Sequence, residues 1–370
     1  MSKRNALIVI VILVLLALGA YFAWSFYRNR QASVPLPPAP NSAGTWYEIL
    51  FTSPIIPDRR ENHKGGVDDR LVALIDSSRR TLDIAIYDFD LKNVAEAMAR
   101  AKQRGVTVRM VTDTDTLENK NAEIQAAFKV VRDAGIPLVD DQRRAIMHHK
   151  FAVSDRETVL TGSWNFTVGD TYRLNNNVVI IRSPEVATNF ATLFEKMFSQ
   201  RQFGPTKSKE KPHPIVTIGS SRIETYFASE EDPSERLVQL IRSAQTKIDF
   251  LAFSYTRDDL GQAMLERSRA GVKVRGVFER TGSETRFSEF GAMRSAGLEV
   301  YQDGSPYVMH HKVIVVDDRY TVFGSFNFSD NAADNNDENL LIVDDPTFSR
   351  AFLAEVDRMV ALAQNPVRAR

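Results

Sequence analysis

The stretch His148-His149-Lys150-Phe151-Ala152-Val153-Ser154-Asp155 recurs as His310-His311-Lys312-Val313-Ile314-Val315-Val316-Asp317, and this repeat decides the fold. After a gap of six residues in both cases, each copy runs into a second match, Gly162-Ser163-Trp164-Asn165-Phe166 and Gly324-Ser325-Phe326-Asn327-Phe328. The offset is 162 residues at every one of these positions. Four of the six histidines of the chain fall in the two segments. Duplication by itself preserves core patterns and gives no reason to keep histidine, lysine and asparagine. The repeat therefore implies two similar halves that share one active site.

The runs after each His-His-Lys are strand-like, and side chains along a strand alternate with a period of two. His148 and Lys150 then share one face, as do His310 and Lys312, while His149 and His311 face the other way. Asp155 and Asp317 fall at the strand ends, where a turn begins, and read as structural. Each Gly-Ser-x-Asn run places small polar groups at the mouth of the next strand, with Trp164 and Phe326 as core packing. Lys150, Lys312, Ser163, Ser325, Asn165 and Asn327 converging on one spot would form an oxyanion cage. A phosphodiester suits it, with one charge at rest and more in the pentacoordinate transition state. One histidine can serve as nucleophile and form a phospho-histidine, while the other acts as acid and then base. Paired histidines also suggest zinc. No carboxylate ligand pattern accompanies them, however, and the neighbouring lysines repel a cation, so neither a metal nor a cofactor is expected.

The halves also match upstream. Tyr47-Glu48-Ile49-Leu50-Phe51 pairs with Ile223-Glu224-Thr225-Tyr226-Phe227, and the apolar run Leu82 to Tyr87 pairs with Ile248 to Phe253. A helical pattern follows each (Val94, Met98, Ala101; Leu260, Met264) and stops at Gly105 or Gly271, where a left-handed cap would sit. New strands begin at Val106 and Val272. Strand, helix, glycine, strand signals a βαβ unit. The expected fold class is α/β: two similar α-β-α sandwich domains, each with a largely parallel sheet. The upstream offset is 166, so the halves differ by four residues between Gly105 and Gly135.

A length of 370 residues accommodates two such domains, placed at residues 46–203 and 215–365. Residues 204–214 read as a polar, Pro- and Lys-rich linker, with Lys207, Lys209 and Lys211 on a solvated face. Lys3, Arg4, Arg28 and Arg30 are the only charges in the first 30 residues. Without them 43 basic residues face 47 acidic ones, which argues mildly against sequence-independent nucleic-acid binding. Cysteine is absent, which excludes disulfides and thiolate metal sites. Ala6 to Tyr27 is an uncharged apolar run that would span roughly 33 Å as a helix, enough to cross a bilayer. Residues 1–30 are read as an uncleaved single-pass anchor, in preference to a signal peptide, with the body outside the cytoplasm. Residues 31–45 then form a Pro-rich spacer.

The pattern HxKxxxxD followed by GSxN, present twice, resembles the phospholipase D superfamily from Trp46 to about Leu362. His-His-Lys with Gly-Ser-aromatic-Asn-Phe is most similar to its compact branch of small bacterial endonucleases and mitochondrial cardiolipin hydrolases. Those small members dimerise to build one site from two motifs. Both motifs lie here in one chain, which implies a monomer. The resemblance implies a catalytic set of His148, His310, Lys150, Lys312 and Glu338, phosphate contacts from Ser163, Asn165, Ser325 and Asn327, and independence of metal. It also implies an acidic residue after each GSxN run that supports a histidine of the opposite half. The second half has Glu338, but the first has Asn176 at the matching position. Only His148 is then expected to keep a carboxylate behind it, which makes His148 the nucleophile and His310 the acid/base.

The resulting reading is a phospholipase D-type phosphodiesterase acting on membrane phospholipid. The alternatives are a membrane-tethered endonuclease, a cardiolipin-synthase-like phosphatidyl transferase and a non-catalytic phosphate-binding scaffold. The expected partners are a phospholipid membrane and the phosphodiester substrate.

Overall fold

Alternating apolar strands and amphipathic helices build two mixed sheets within one compact unit. The computed structural model describes residues 46–367; the expected anchor and spacer lie outside the described residues. Among the described residues no helix is long and apolar enough to cross a membrane. In chain order the first sheet comprises β1 (Tyr47–Phe51), β2 (Thr81–Ile86), β3 (Thr107–Thr112), β4 (Leu138–Asp140), β5 (Lys150–Ser154), β6 (Thr158–Gly162) and β7 (Asn177–Arg182). The second comprises β8 (Ile215–Ile218), β9 (Ser221–Ala228), β10 (Lys247–Ala252), β11 (Lys273–Phe278), β12 (Glu299–Gln302), β13 (Lys312–Val316), β14 (Tyr320–Gly324) and β15 (Glu338–Asp344). Their spatial orders are β1-β7-β6-β5-β2-β3-β4 and β12-β11-β10-β13-β14-β15-β9-β8. Apart from β8, the two sheets repeat one topology.

The expected βαβ units are present, with β2, β3 and β4 parallel, as are β10, β11 and β12. The rest of each sheet is antiparallel, which corrects the expectation of a largely parallel sheet. The physical reason lies in the repeated segment itself. It turns back at Asp155 or Asp317 within a few residues, too few for a crossover helix, so β5–β6 and β13–β14 must be hairpins. Asp155 and Asp317 occupy left-handed backbone at φ 54° and 51°, a region that Asp tolerates better than most residues. The Asp155 carboxylate accepts from the amides of Arg79, Arg80 and Thr81, the shortest at 2.7 Å. Asp317 accepts from those of Gln245, Thr246 and Lys247, the shortest at 2.8 Å. Each aspartate thus ties its hairpin to the entrance of the neighbouring strand.

Both predicted helix stops occur, with Gly105 at φ 90° and Gly271 at φ 91°. Helices Val67–Ser77, Lys92–Gln103 and Ala122–Asp133 bury their apolar faces on the outer side of the first sheet. Helices Ser234–Ser243 and Asp258–Arg269 cover the second sheet in the same way. Helices Pro184–Phe198 and Pro346–Gln364 sit on the inner faces, where Phe190, Phe194, Phe348 and Phe352 join both sheets in one continuous core. Trp164 and Phe326 are buried, as their apolar character suggested.

The three lysines of segment 204–214 do not share one solvated face. Lys207 is buried, its ammonium 3.0 Å from Glu230, bonded to Asp337 and donating to the Gly204 carbonyl at 3.1 Å. Arg143 pairs with the other oxygen of Asp337 at 2.8 Å. Lys211 pairs with Glu231 at 2.5 Å, and only Lys209 of the three lysines is exposed. Composition could not reveal this, because Lys207 finds its buried acids, Glu230 and Asp337, 23 and 130 residues further along the chain. Removing one partner of a buried ion network leaves charge uncompensated. Lys207→Ala is therefore expected to lower unfolding free energy by about 3 kcal/mol in urea denaturation. A variant as stable as the parent would contradict the network.

Candidate active site

Two short backbone bridges carry the repeated motifs across the boundary between the halves. The His148 amide donates to the Asp337 carbonyl at 2.9 Å and the Asp337 amide to Ile146 at 3.0 Å. The same exchange links His310 to Asn175 at 2.9 Å and Asn175 to Val308 at 3.0 Å. Met147 thereby pairs with Asp337 and Met309 with Asn175, each in parallel register. Each histidine is placed beside the residue that follows its partner, Glu338 or Asn176.

His148 Nδ1 lies 2.8 Å from both carboxylate oxygens of Glu338. His310 Nδ1 lies 2.9 Å from Asn176 Oδ1 and, in addition, 3.4 Å from Asp170 Oδ1. The expectation that His310 has no carboxylate is thus corrected. Asp170 was hidden from the repeat comparison because its counterpart is Ala332. Lys150 and Lys312 are fully buried, and each donates to the carbonyl of its own histidine, His148 or His310, at 2.8 Å. Tyr87 and Phe253, the matched residues just past β2 and β10, stack edge-on against His148 and His310. The ammonium groups of Lys150 and Lys312 lie over these same rings, at 5.1 and 4.5 Å from the centroids. The sequence held a signal for this pair, since both residues are aromatic at the 166-residue offset.

The glycine of each GSxN run is required by close approach. Gly162 and Gly324 adopt φ 151° and 146°, and a Cβ on either would run into the carbonyl of Asn177 or Asn339 on the next strand. The serines that follow are fully buried and hold the support of the opposite histidine. Ser163 donates to Asn176 Oδ1 at 2.8 Å, and Ser325 donates to Glu338 Oε2 at 2.6 Å. Asn165 Oδ1 and Asn327 Oδ1 find no partner among the described residues. His149 and His311 face the core, as alternation predicted. His311 Nε2 meets Glu355 at 2.9 Å, while His149 Nε2 has no partner among the described residues.

Burial sets the electrostatics. It drives the His148 imidazole well below its usual pKa, helped by Lys150 and Lys312, and takes His310 down to about 3. Lys150 falls to about 8 for the same reason, and Lys312 falls well below its normal value. Burial raises Glu338 to about 8 against the pull of Lys150. Burial also opposes ionisation of Asp170, but His310, Asn165 and Thr167 outweigh it and hold that carboxyl below the usual range. Without an anion, then, the imidazoles are neutral and the cage is short of counter-charge. A phosphodiester would supply that charge and raise the affinity of each basic group for its proton.

The matches to known proteins accord with this arrangement. The family described as "Cardiolipin synthase, PLD-like domain" matches residues 71–198 and again 237–360, so the chain belongs to this phospholipase D-like family and carries its domain twice. Over 129 residues the chain is 35% identical to human mitochondrial cardiolipin hydrolase, covering 35% of this chain and 51% of that protein. It is 26% identical over 160 residues to phospholipase D of Rickettsia prowazekii, covering 43% of this chain and 78% of the relative. The chain thus spans only about half the length of the human protein. Phosphatidylserine synthase of Haemophilus influenzae Rd KW20 shares the fold across 91% of this chain and 90% of its own, with a TM-score of 0.62 at 15% identity.

A neutral buried imidazole has a definite signature in stability. The unfolded chain binds a proton on His310 below about pH 6.5, whereas the folded one does so only near about pH 3. Its contribution is therefore complete above about pH 6.5 and is lost as the pH falls towards about 3. Melting temperature is expected to drop less between pH 7 and pH 4 for His310→Asn than for the parent. Equal drops would contradict a neutral His310.

Proposed function

We propose that the protein is a metal-independent phospholipase D-type phosphodiesterase that hydrolyses membrane phospholipid. The observation that carries the reading is reciprocal support: each motif histidine is held at Nδ1 by side chains of the opposite half. Holding Nδ1 leaves Nε2 of each ring to do chemistry, which is what a nucleophile and an acid/base partner both need.

His148, backed directly by Glu338, attacks phosphorus through Nε2 and forms a P–N bond as the P–O bond to the leaving alcohol breaks. His310, which takes up a second proton at Nε2 from solvent when the phosphodiester anion enters, gives that proton to the alkoxide. It then takes a proton from water as the water oxygen attacks phosphorus, and the P–N bond breaks to restore His148. Lys150 and Lys312 turn from their backbone acceptors to the non-bridging oxygens, joined by Asn165 and Asn327. The serine hydroxyls are already committed, so Ser163 and Ser325 act on phosphate only through Asn176 and Glu338. Phospholipid is favoured over nucleic acid by the acidic balance beyond residue 30 and by relatives named cardiolipin hydrolase and phospholipase D. The N-terminal apolar run would hold the body at a bilayer outside the cytoplasm.

The test is a competition assay on the full-length protein in EDTA, offered anionic liposomes and single-stranded nucleic acid together. Phosphatidate release is expected, reduced about 10²- to 10³-fold in Lys150→Ala. Nucleotide release alone would overturn the lipid assignment. Failure of the folded protein to cleave even bis-p-nitrophenyl phosphate would leave a phosphate-binding scaffold.

A further inference from the structure

We infer that Asp170 is the positioning carboxylate of His310, a function displaced in the first half by six residues from the place that Glu338 holds in the second. The inference rests on the acid/base role proposed for His310. At position 176 the first half has an amide where the second has Glu338, and at 170 it has a carboxylate where the second has Ala332. Acid and neutral side chain have exchanged places between two otherwise matched frameworks.

The hydrogen bonds show how the exchange works. Asn176 Oδ1 accepts from Ser163 at 2.8 Å and faces His310 Nδ1 at 2.9 Å. An amide oxygen only accepts, so Nδ1 must carry the proton, leaving Nε2 as the reactive nitrogen. The amide nitrogen of Asn176 points the other way and donates to Asp170 Oδ1 at 3.3 Å. Asn165 adds its backbone amide at 3.1 Å and its side-chain amide at 3.3 Å, and Thr167 donates to Oδ2 at 3.0 Å. With His310 Nδ1 at 3.4 Å, one buried carboxylate gathers Asn165, the amide of Asn176 and the imidazole.

Local structure alone does not call for an acid at this position. Helix Val168–Tyr172 is capped by Thr167 accepting from the Asp170 amide, and helix Asp330–Asp334 is capped by Ser329 accepting from Ala332. The second cap forms with alanine at the matching place. What the carboxylate adds is negative charge beside a ring that must become an imidazolium. Glu338 serves His148 by direct contact, whereas Asp170 serves His310 at longer range and partly through an amide. The two histidines therefore differ in their support, as a nucleophile and a proton carrier should.

The test compares two substrates. A dialkyl phosphodiester has a poor leaving group that needs protonation, and bis-p-nitrophenyl phosphate has a good one that does not. Asp170→Ala is expected to lower kcat/KM about 100-fold on the first and less than about 10-fold on the second, within the range for assisted proton transfer. The double variant Asp170→Ala, Asn176→Glu copies the Ala332 and Glu338 pair of the second half, which already packs in this framework. It is expected to recover dialkyl cleavage to within about 5-fold of the parent. Equal losses on both substrates, no loss, or a double variant no better than Asp170→Ala would overturn the inference. A parent inactive on both substrates would instead overturn the phosphodiesterase reading itself.

Discussion

Everything at the site depends on the cross-half backbone bridges. A histidine ring needs its Nδ1 fixed before its Nε2 can be aimed, and neither half fixes its own. The chain solves this by exchanging main-chain hydrogen bonds between residues 146–148 and 337, and between 308–310 and 175. Main-chain exchange has no side-chain freedom to lose, so the register of Glu338 on His148, and of Asn176 on His310, follows from the sheets themselves. The inner helices and their phenylalanines fill the space beneath and keep the two sheets at the spacing that the bridges require. Lys207 reinforces one bridge from the connecting segment by holding the side chain of Asp337.

Burial is the second constraint. His148 and His310 are only 5% and 6% exposed, and both lysines are almost completely enclosed. Enclosure costs the charged forms their hydration and pushes four basic groups towards neutrality. In the proposed reaction an entering anion offsets this penalty for Lys150, Lys312 and His310, while His148 stays neutral and keeps the free Nε2 that it needs for attack. Glu338 and Asp170 sit on opposite histidines in different ways, one in direct contact and one at 3.4 Å, so the duplication is not symmetric at the site.

Much of this was legible in the sequence because period-two alternation and exact repetition carry it. The faces of His148 and His149, the caps at Gly105 and Gly271 and the burial of Trp164 followed from residue order and the matched motifs, whereas the pairing of Glu338 with His148 was implied by the family resemblance. What was not legible depended on contacts distant in sequence or on a broken repeat. A Lys- and Pro-rich stretch looks solvated until Asp337 and Glu230 are seen to bury Lys207. Asp170 was invisible because comparison of the halves rewards matching positions, and its counterpart is alanine. The strand, helix, glycine pattern indicated parallel strands correctly, but it was silent on the hairpins that follow.

A single site completed by both halves makes a sharp demand on the turnover of one phosphodiester by His148→Asn, His310→Asn and the double variant. Residues that act as a unit are strongly non-additive, so each single variant should already be inactive to within the loss seen for the double. Two independent sites would instead leave each single variant with about half the parent's rate, because the untouched half would keep working. That result would contradict the shared site.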